Sequence, residues 1–192
     1  MKKYSLFIIA CFVSINIFAE NITSSATAKW QTSAFKDTSS TLVITPLSSL
    51  NFQYAEGSNS FSKEYGKFNI TLMGLIGSTD FKLTSKVISD ELVRFDDPSK
   101  LKVAIQWHGQ ELSKTQETVL ISTGDGVHAG LTPLAQKEVY AGHGRDSAQA
   151  DFGFSIKNAM NTTGQNTDFT QLKDGTWNGE VAVQFTATWA KP

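Results

Sequence analysis

The chain has 192 residues, with 17 Lys and Arg against 18 Asp and Glu, for a formal net charge of −1. That length accommodates one or two domains with a buried core, and 40% apolar with 18% charged residues excludes wholesale disorder. The near-neutral balance excludes the basic surface that a nucleic-acid binder needs.

The chain opens with Met1-Lys2-Lys3, an apolar run from Tyr4 to Phe18, and then Ala19. A short positive head, an apolar core and a small closing residue form a secretory leader, cleaved between Ala19 and Glu20. The run is short for a transmembrane helix, and no later stretch is long enough to span a bilayer. Ile8-Ile9-Ala10-Cys11 has the form of a lipoprotein box with Cys11 lipidated. Against it stand the few residues before Cys11 and the apolar stretch Phe12 to Phe18 after it, where a polar tether belongs. Ordinary cleavage is the expectation, leaving residues 20–192 to be exported. Loss of Lys2 and Lys3 leaves 15 basic against 18 acidic residues, a net −3. Cys11 is the one cysteine, so the mature chain has no disulfide, no thiol nucleophile and no cysteine–zinc site.

Residues 20–35 read as an extension. Ile22, Ala26, Ala28 and Trp30 fall on one face of an alternating stretch, with Thr23, Ser25, Thr27 and Lys29 on the other. A polar break, Lys36-Asp37-Thr38-Ser39-Ser40, separates it from the first strand of the main body. Residues 36–192 then read as one domain of short strands. Strand-like runs are Thr41–Thr45 and Leu50–Tyr54, followed by the alternating Phe68, Ile70 and Leu72 and by Phe81–Val87. Next come Leu101, Val103, Ile105 and Trp107, then Val119–Ser122. Residues 124–147, rich in Gly, read as a long surface excursion with a turn or two of helix after Pro133. Phe152–Ile156 follows, and Asp174-Gly175 and Asn178-Gly179 signal turns before the last strand. That strand is the most regular, with Val181, Val183, Phe185, Ala187 and Trp189 on one face. Many short strands separated by turn signals predict an all-β sandwich.

The last strand runs almost to Pro192, so nothing later in the chain pairs with its free side. An uncovered apolar edge accepts another strand. Filling it gains main-chain hydrogen bonds and roughly 1.5–3 kcal/mol for each large side chain buried. On pattern alone, the extension reads rather as an ordinary first strand packed within its own sandwich, the far commoner arrangement.

Motifs of catalysis are missing. There is no Gly-x-Ser-x-Gly elbow, and His108, His128 and His143 lie in separate segments without His-Glu-x-x-His spacing. Gly124-Asp125-Gly126-Val127-His128-Ala129-Gly130 lacks the Lys-Ser/Thr of a phosphate loop. Asp90-Glu91 and Asp96-Asp97 read as solvated turn residues. Neither an enzyme, a metal site nor a cofactor is expected.

The sequence resembles the major fimbrillins of the bacterial common pilus (Mat fimbria), which are assembled by an alternate chaperone–usher pathway. Carrying the resemblance are Lys36-Asp37-Thr38, Leu42-Val43-Ile44-Thr45-Pro46-Leu47, Ser49 to Gly57, Phe81-Lys82-Leu83-Thr84-Ser85, Leu131-Thr132-Pro133-Leu134-Ala135 and Phe152-Gly153-Phe154-Ser155-Ile156. Gly175 to Trp189 is the most specific block, while 86–118 and 136–150 match loosely. The resemblance implies an incomplete immunoglobulin-like β-sandwich, completed by donor-strand exchange. Ile22, Ala26, Ala28 and Trp30 become the donor face, and Val181, Val183, Phe185, Ala187 and Trp189 the acceptor groove. The implied partners are other copies of the chain, head to tail, a periplasmic chaperone, an outer-membrane usher, a tip adhesin subunit and a host-cell surface. The implied role is the repeated subunit of a surface fimbria supporting adhesion and biofilm formation. The competing reading is a monomeric exported β-sandwich that binds a carbohydrate or another ligand.

Overall fold

A computed structural model describes residues 41–191, which lie within the compact unit Asp37–Pro192. The expected leader, the cleavage after Ala19, and the donor residues Ile22, Ala26, Ala28 and Trp30 lie outside the described residues. In chain order the strands are β1 (Leu42–Pro46), β2 (Tyr54–Ala55), β3 (Ser60–Phe61), β4 (Glu64–Met73) and β5 (Asp80–Ser89). They continue with β6 (Glu91–Arg94), β7 (Lys100–Trp107), β8 (Gln110–Glu111), β9 (Thr118–Ser122) and β10 (Arg145–Met160). The last three are β11 (Asn166–Thr167), β12 (Trp177–Asn178) and β13 (Ala182–Ala190). Among the described residues helix is confined to short 3-10 turns and one α-turn, α1 (Lys137–Tyr140).

The strands form the predicted all-β, immunoglobulin-like sandwich. The larger sheet runs β1-β4-β10-β7-β6-β12, with β8 and β11 hung on β7 and β10. The smaller runs β13-β5-β9. All pairings between these strands are antiparallel. Period-two alternation makes the core: Phe68, Ile70 and Leu72 of β4 and Leu101, Val103, Ile105 and Trp107 of β7 are buried. They face Phe81, Leu83 and Val87 of β5 across the interior. Gly66 on β4 is bare because the Phe154 ring of β10 covers it, and a Cβ there would meet the ring at 2.5 Å.

Three segments depart from expectation. Leu50–Tyr54 is not a ladder strand: only Tyr54 pairs, in the two-residue ribbon β2–β3. Gln53 instead donates its N–H to the Ser62 hydroxyl at 3.0 Å and accepts from the Ser62 N–H at 2.8 Å. The run Phe152–Ile156 is the middle of the sixteen-residue β10. Its first half was hidden because the inward residues are small, Ala148 and Ala150, set opposite Ile70 and Phe68. Finally, residues 124–147 are not purely a surface excursion. Leu131, Leu134 and Tyr140 are buried, and Tyr140 stacks on Phe81 with centroids 6.0 Å apart. The segment closes one end of the core, with the turns after Pro133 carrying the plug.

Candidate functional site

β13 bonds along its whole length to β5, with Trp189 opposite Phe81, Ala187 opposite Leu83 and Phe185 opposite Ser85. Among the described residues its other edge has no strand partner. The consequence shows in burial. The inward residues of β5 are sealed, but Val183, Phe185, Ala187 and Trp189 beside them are only half-buried. Gln184, Thr186 and Thr188 alternate with them and are exposed.

The other sheet repeats the pattern. β1 is an edge strand whose only partner among the described residues is β4. Leu42 and Ile44 lie opposite the sealed Leu72 and Ile70, yet are half-buried themselves. The two open edges lie on the same side of the sandwich. Phe185 packs across to Phe68 of β4 and Phe152 of β10, with centroids 5.4 and 5.8 Å away, and β1 flanks β4. A cleft with two apolar walls results, with an unpaired backbone edge on each side among the described residues. It is the geometry that accepts a β-strand.

The sequence-derived residues Val183, Phe185, Ala187 and Trp189 share the inward face of β13, and Val181 precedes it at a cavity. That cavity has a volume of about 1030 Å³, and Leu50, Phe52, Phe61, Phe169, Trp177 and Val181 are among its lining residues. Phe61 is its hub, edge-on to Tyr54 and Phe169 at 5.4 Å and to Trp177 at 6.5 Å. Trp177 is fixed on both sides. Its indole N–H donates to the Ser99 hydroxyl at 3.1 Å, and the Arg94 guanidinium lies over its ring at 5.4 Å. Arg94 donates to the Lys173 carbonyl at 2.8 Å and pairs with Asp96. Sequence reasoning did not find the cavity, because its walls come from three separated parts of the chain, within 48–61, at Leu92 and Leu101, and within 169–181. Two polar atoms near the cleft are also unpaired: the Trp189 indole N–H and the Ser85 hydroxyl are buried without a hydrogen-bond partner among the described residues.

The remaining polar residues serve local structure. His108 sits in the β7–β8 turn with φ 46 and meets the Trp107 ring edge-on at 4.4 Å. His128 bonds the Thr132 hydroxyl at 3.1 Å, and His143 is exposed. Asp90 pairs with Lys114 at 2.5 Å. The Arg94 guanidinium holds the Asp96 carboxyl below the usual range, and a hydrogen bond from Ser99 does the same for Asp97. Between Arg94 and Asp96, at the hairpin tip, Phe95 is 100% exposed. No group of three or more His, Cys, Asp or Glu able to hold a metal occurs among the described residues. Tyr140, the one aromatic of the 124–147 segment, is buried and offers no platform to a sugar.

Comparison with known proteins adds independent information. The family model described as Fimbrillin MatB matches residues 23–189. The common pilus major fimbrillin subunit EcpA of Klebsiella pneumoniae is 41% identical over 192 residues, covering 98% of this chain and 97% of the relative. An Escherichia coli subunit of the same name is 44% identical over 174 residues, covering 89% of this chain and 88% of the relative. Among solved structures, the CooA pilin subunit from enterotoxigenic Escherichia coli aligns over 76% of this chain and 87% of its own. That alignment has a TM-score of 0.41 and 15% identity. With a family match from residue 23 to 189 and relatives similar along nearly their whole length, the chain belongs to the MatB fimbrillins, a family of structural pilus subunits and not of enzymes.

Proposed function

We propose that this chain is the repeating shaft subunit of a surface pilus and polymerises by donor-strand exchange. The observation that carries the proposal is the open edge of β13, nine residues long with a half-buried apolar row beneath it. In this mode residues 20–35 of one copy leave their own subunit and lie along β13 of the next. Ile22, Ala26, Ala28 and Trp30 cover Val181, Val183, Phe185, Ala187 and Trp189. The stretch from residue 22 to 30 matches β13 in length. Each large side chain buried adds roughly 1.5–3 kcal/mol to the new ladder of hydrogen bonds. The contact joins unlike surfaces, so it does not close on itself and grows into a filament.

Membership in the family supports the wider setting. The chain is exported to the periplasm, where a chaperone occupies the open edge. An outer-membrane usher then exchanges that chaperone for the incoming extension, and a tip adhesin subunit ends the fibre. On the cell surface the fimbria serves adhesion, including to host cells, and biofilm formation.

Deletion of residues 20–31 should leave a folded, chaperone-bound subunit that forms no fibres by electron microscopy. Ala28→Arg should act in the same way, since it brings an unpaired charge into an apolar cleft. Fibres from the truncated chain would sink the proposal.

A further inference from the structure

We propose that the Leu75–Ile76 turn of each copy seats in the aromatic-lined cavity of the next, a contact between the two bodies beside the donated strand. The inference rests on the donor-strand reading above and goes beyond it. Strand exchange by itself ties successive bodies through a segment of chain and leaves open whether they touch.

Turn and cavity lie at opposite ends of the sandwich. Thr41, where the extension joins the body, accepts the Met73 N–H at 2.8 Å at the end of β4, and the turn follows at once. β13 finishes at the same end, its Ala190 carbonyl taking the Thr79 N–H at 2.9 Å. The cavity sits at the other end, lined by Ser48 after β1, Leu101 near the start of β7 and Val181 just before β13. A fibre that keeps advancing brings the end where the extension leaves against the far end of the copy that receives it. Exposed apolar side chains gather at these two ends, Leu75 and Ile76 at one, Leu47, Tyr54 and Phe95 at the other. Such clusters mark contact surfaces.

The turn is built as a rigid knob. Ser78 donates its N–H and its hydroxyl to the Leu75 carbonyl, at 3.1 and 2.5 Å. Gly77 has φ 80, the left-handed value that a tight turn takes at its third residue. From behind, Leu75 donates its N–H to the Tyr140 carbonyl at 2.9 Å, and Gly74 to that of Gly144 at 3.1 Å. Gly74 lies so close to α1 that a Cβ would meet the Val139 carbonyl oxygen at 2.2 Å. Tips of this kind ordinarily carry Pro, Asn, Asp or Ser. Here the clamped turn holds out Ile76 instead, 55% exposed.

The cavity suits it in size and polarity. A space of about 1030 Å³ is bounded in part by Phe61, with Tyr54 and Phe169 edge-on to it. Its charged lining is mostly acidic, Glu56, Asp174 and Glu180 against Lys173, and residues 73–79 carry no charge to oppose it. A small contact suffices because the two ends are tethered. Residues 31–40, between the donor face and Thr41, reach at most about 36 Å. A tether of that reach holds the ends at an effective concentration in the millimolar range. Two aliphatic side chains against a wall of rings therefore bind within the fibre, yet do not join free subunits.

The mature chain carries no cysteine, which permits a clean test. Fibres of Ile76→Cys/Glu56→Cys are assembled, treated with a short bismaleimide and run on denaturing gels. A covalent ladder is expected. Gln149→Cys/Glu56→Cys should give monomer, since Gln149 is exposed midway along the body, level with Asn69 of β4. Intact fibres without a ladder from the Ile76 pair, or equal ladders from both, overturn the seat of the turn and leave strand exchange standing. Ile76→Asp brings a negative charge to the acidic lining, so its fibres should still form but bend more, with a persistence length in electron micrographs about twofold shorter. Stability of the isolated subunit should be unchanged, as for an exposed site. Unaltered stiffness counts against the contact. Fibres from the chain lacking residues 20–31 would instead bring down strand exchange itself.

Discussion

At the start of β5 one carboxylate ties two strands to a turn. Asp80 accepts the N–H of its neighbour Phe81 at 2.7 Å, the N–H of Gly124 at 2.9 Å, and the Thr123 hydroxyl. The Thr123 bond, helped by the two backbone donors, holds the carboxyl below its ordinary range. A group with a depressed folded pKa stabilises the fold above its unfolded value, and that contribution fades as pH falls through the folded value. Asp80→Ala should therefore cost about 1–3 kcal/mol at neutral pH. The gap from the parent should narrow as the solution becomes strongly acidic. Urea melts at several pH values measure this, and a gap independent of pH would refute the role. Nothing in the sequence marked Asp80 out, because Thr123 and Gly124, which join Phe81 around its carboxylate, lie more than forty residues away, just past β9.

Among the elements, β13 illustrates what a strand pattern reveals and what it leaves hidden. Its alternation of Val183, Phe185, Ala187 and Trp189 with Gln184, Thr186 and Thr188 fixed its faces, and β4 and β7 were equally legible. Large inward side chains write the pattern there. The first half of β10 was not legible, since Ala148 and Ala150 contribute little contrast. Nor was the plug formed by Leu131, Leu134 and Tyr140, whose spacing has no single period. Two-residue strands such as β12 are held by tertiary contacts, Trp177 under Arg94 above all, and leave no periodic trace. Phe185 bridges the sheets by touching Phe68 and Phe152. Phe185→Ala should lower subunit stability by roughly 2–4 kcal/mol, toward the low side for a phenylalanine because the ring is only half-buried. Denaturant unfolding of the chaperone-free subunit measures it. A loss of under half a kcal/mol would mean that the ring packs only when the neighbouring strand is present.

For the whole molecule, the open side of the sandwich governs behaviour in solution. Purified mature subunit should elute as concentration-dependent oligomers on size exclusion, or require a bound strand to remain single. A stable monomer at high concentration would favour the ligand-binding alternative. Under the proposed donor-strand exchange, fibres should resist denaturant far longer than isolated subunits, since releasing one copy would mean breaking a full ladder at once. If a neighbour completes the sheet as proposed, its open edge has a further consequence for where assembly takes place. On the proposed route through the periplasm, no nucleotide is at hand to drive construction. A polypeptide whose folding halts one rung early still holds the last part of its downhill descent, and each joining event releases it on the spot. Growth of such a fibre would then be fuelled by its own building blocks and made irreversible by the same step.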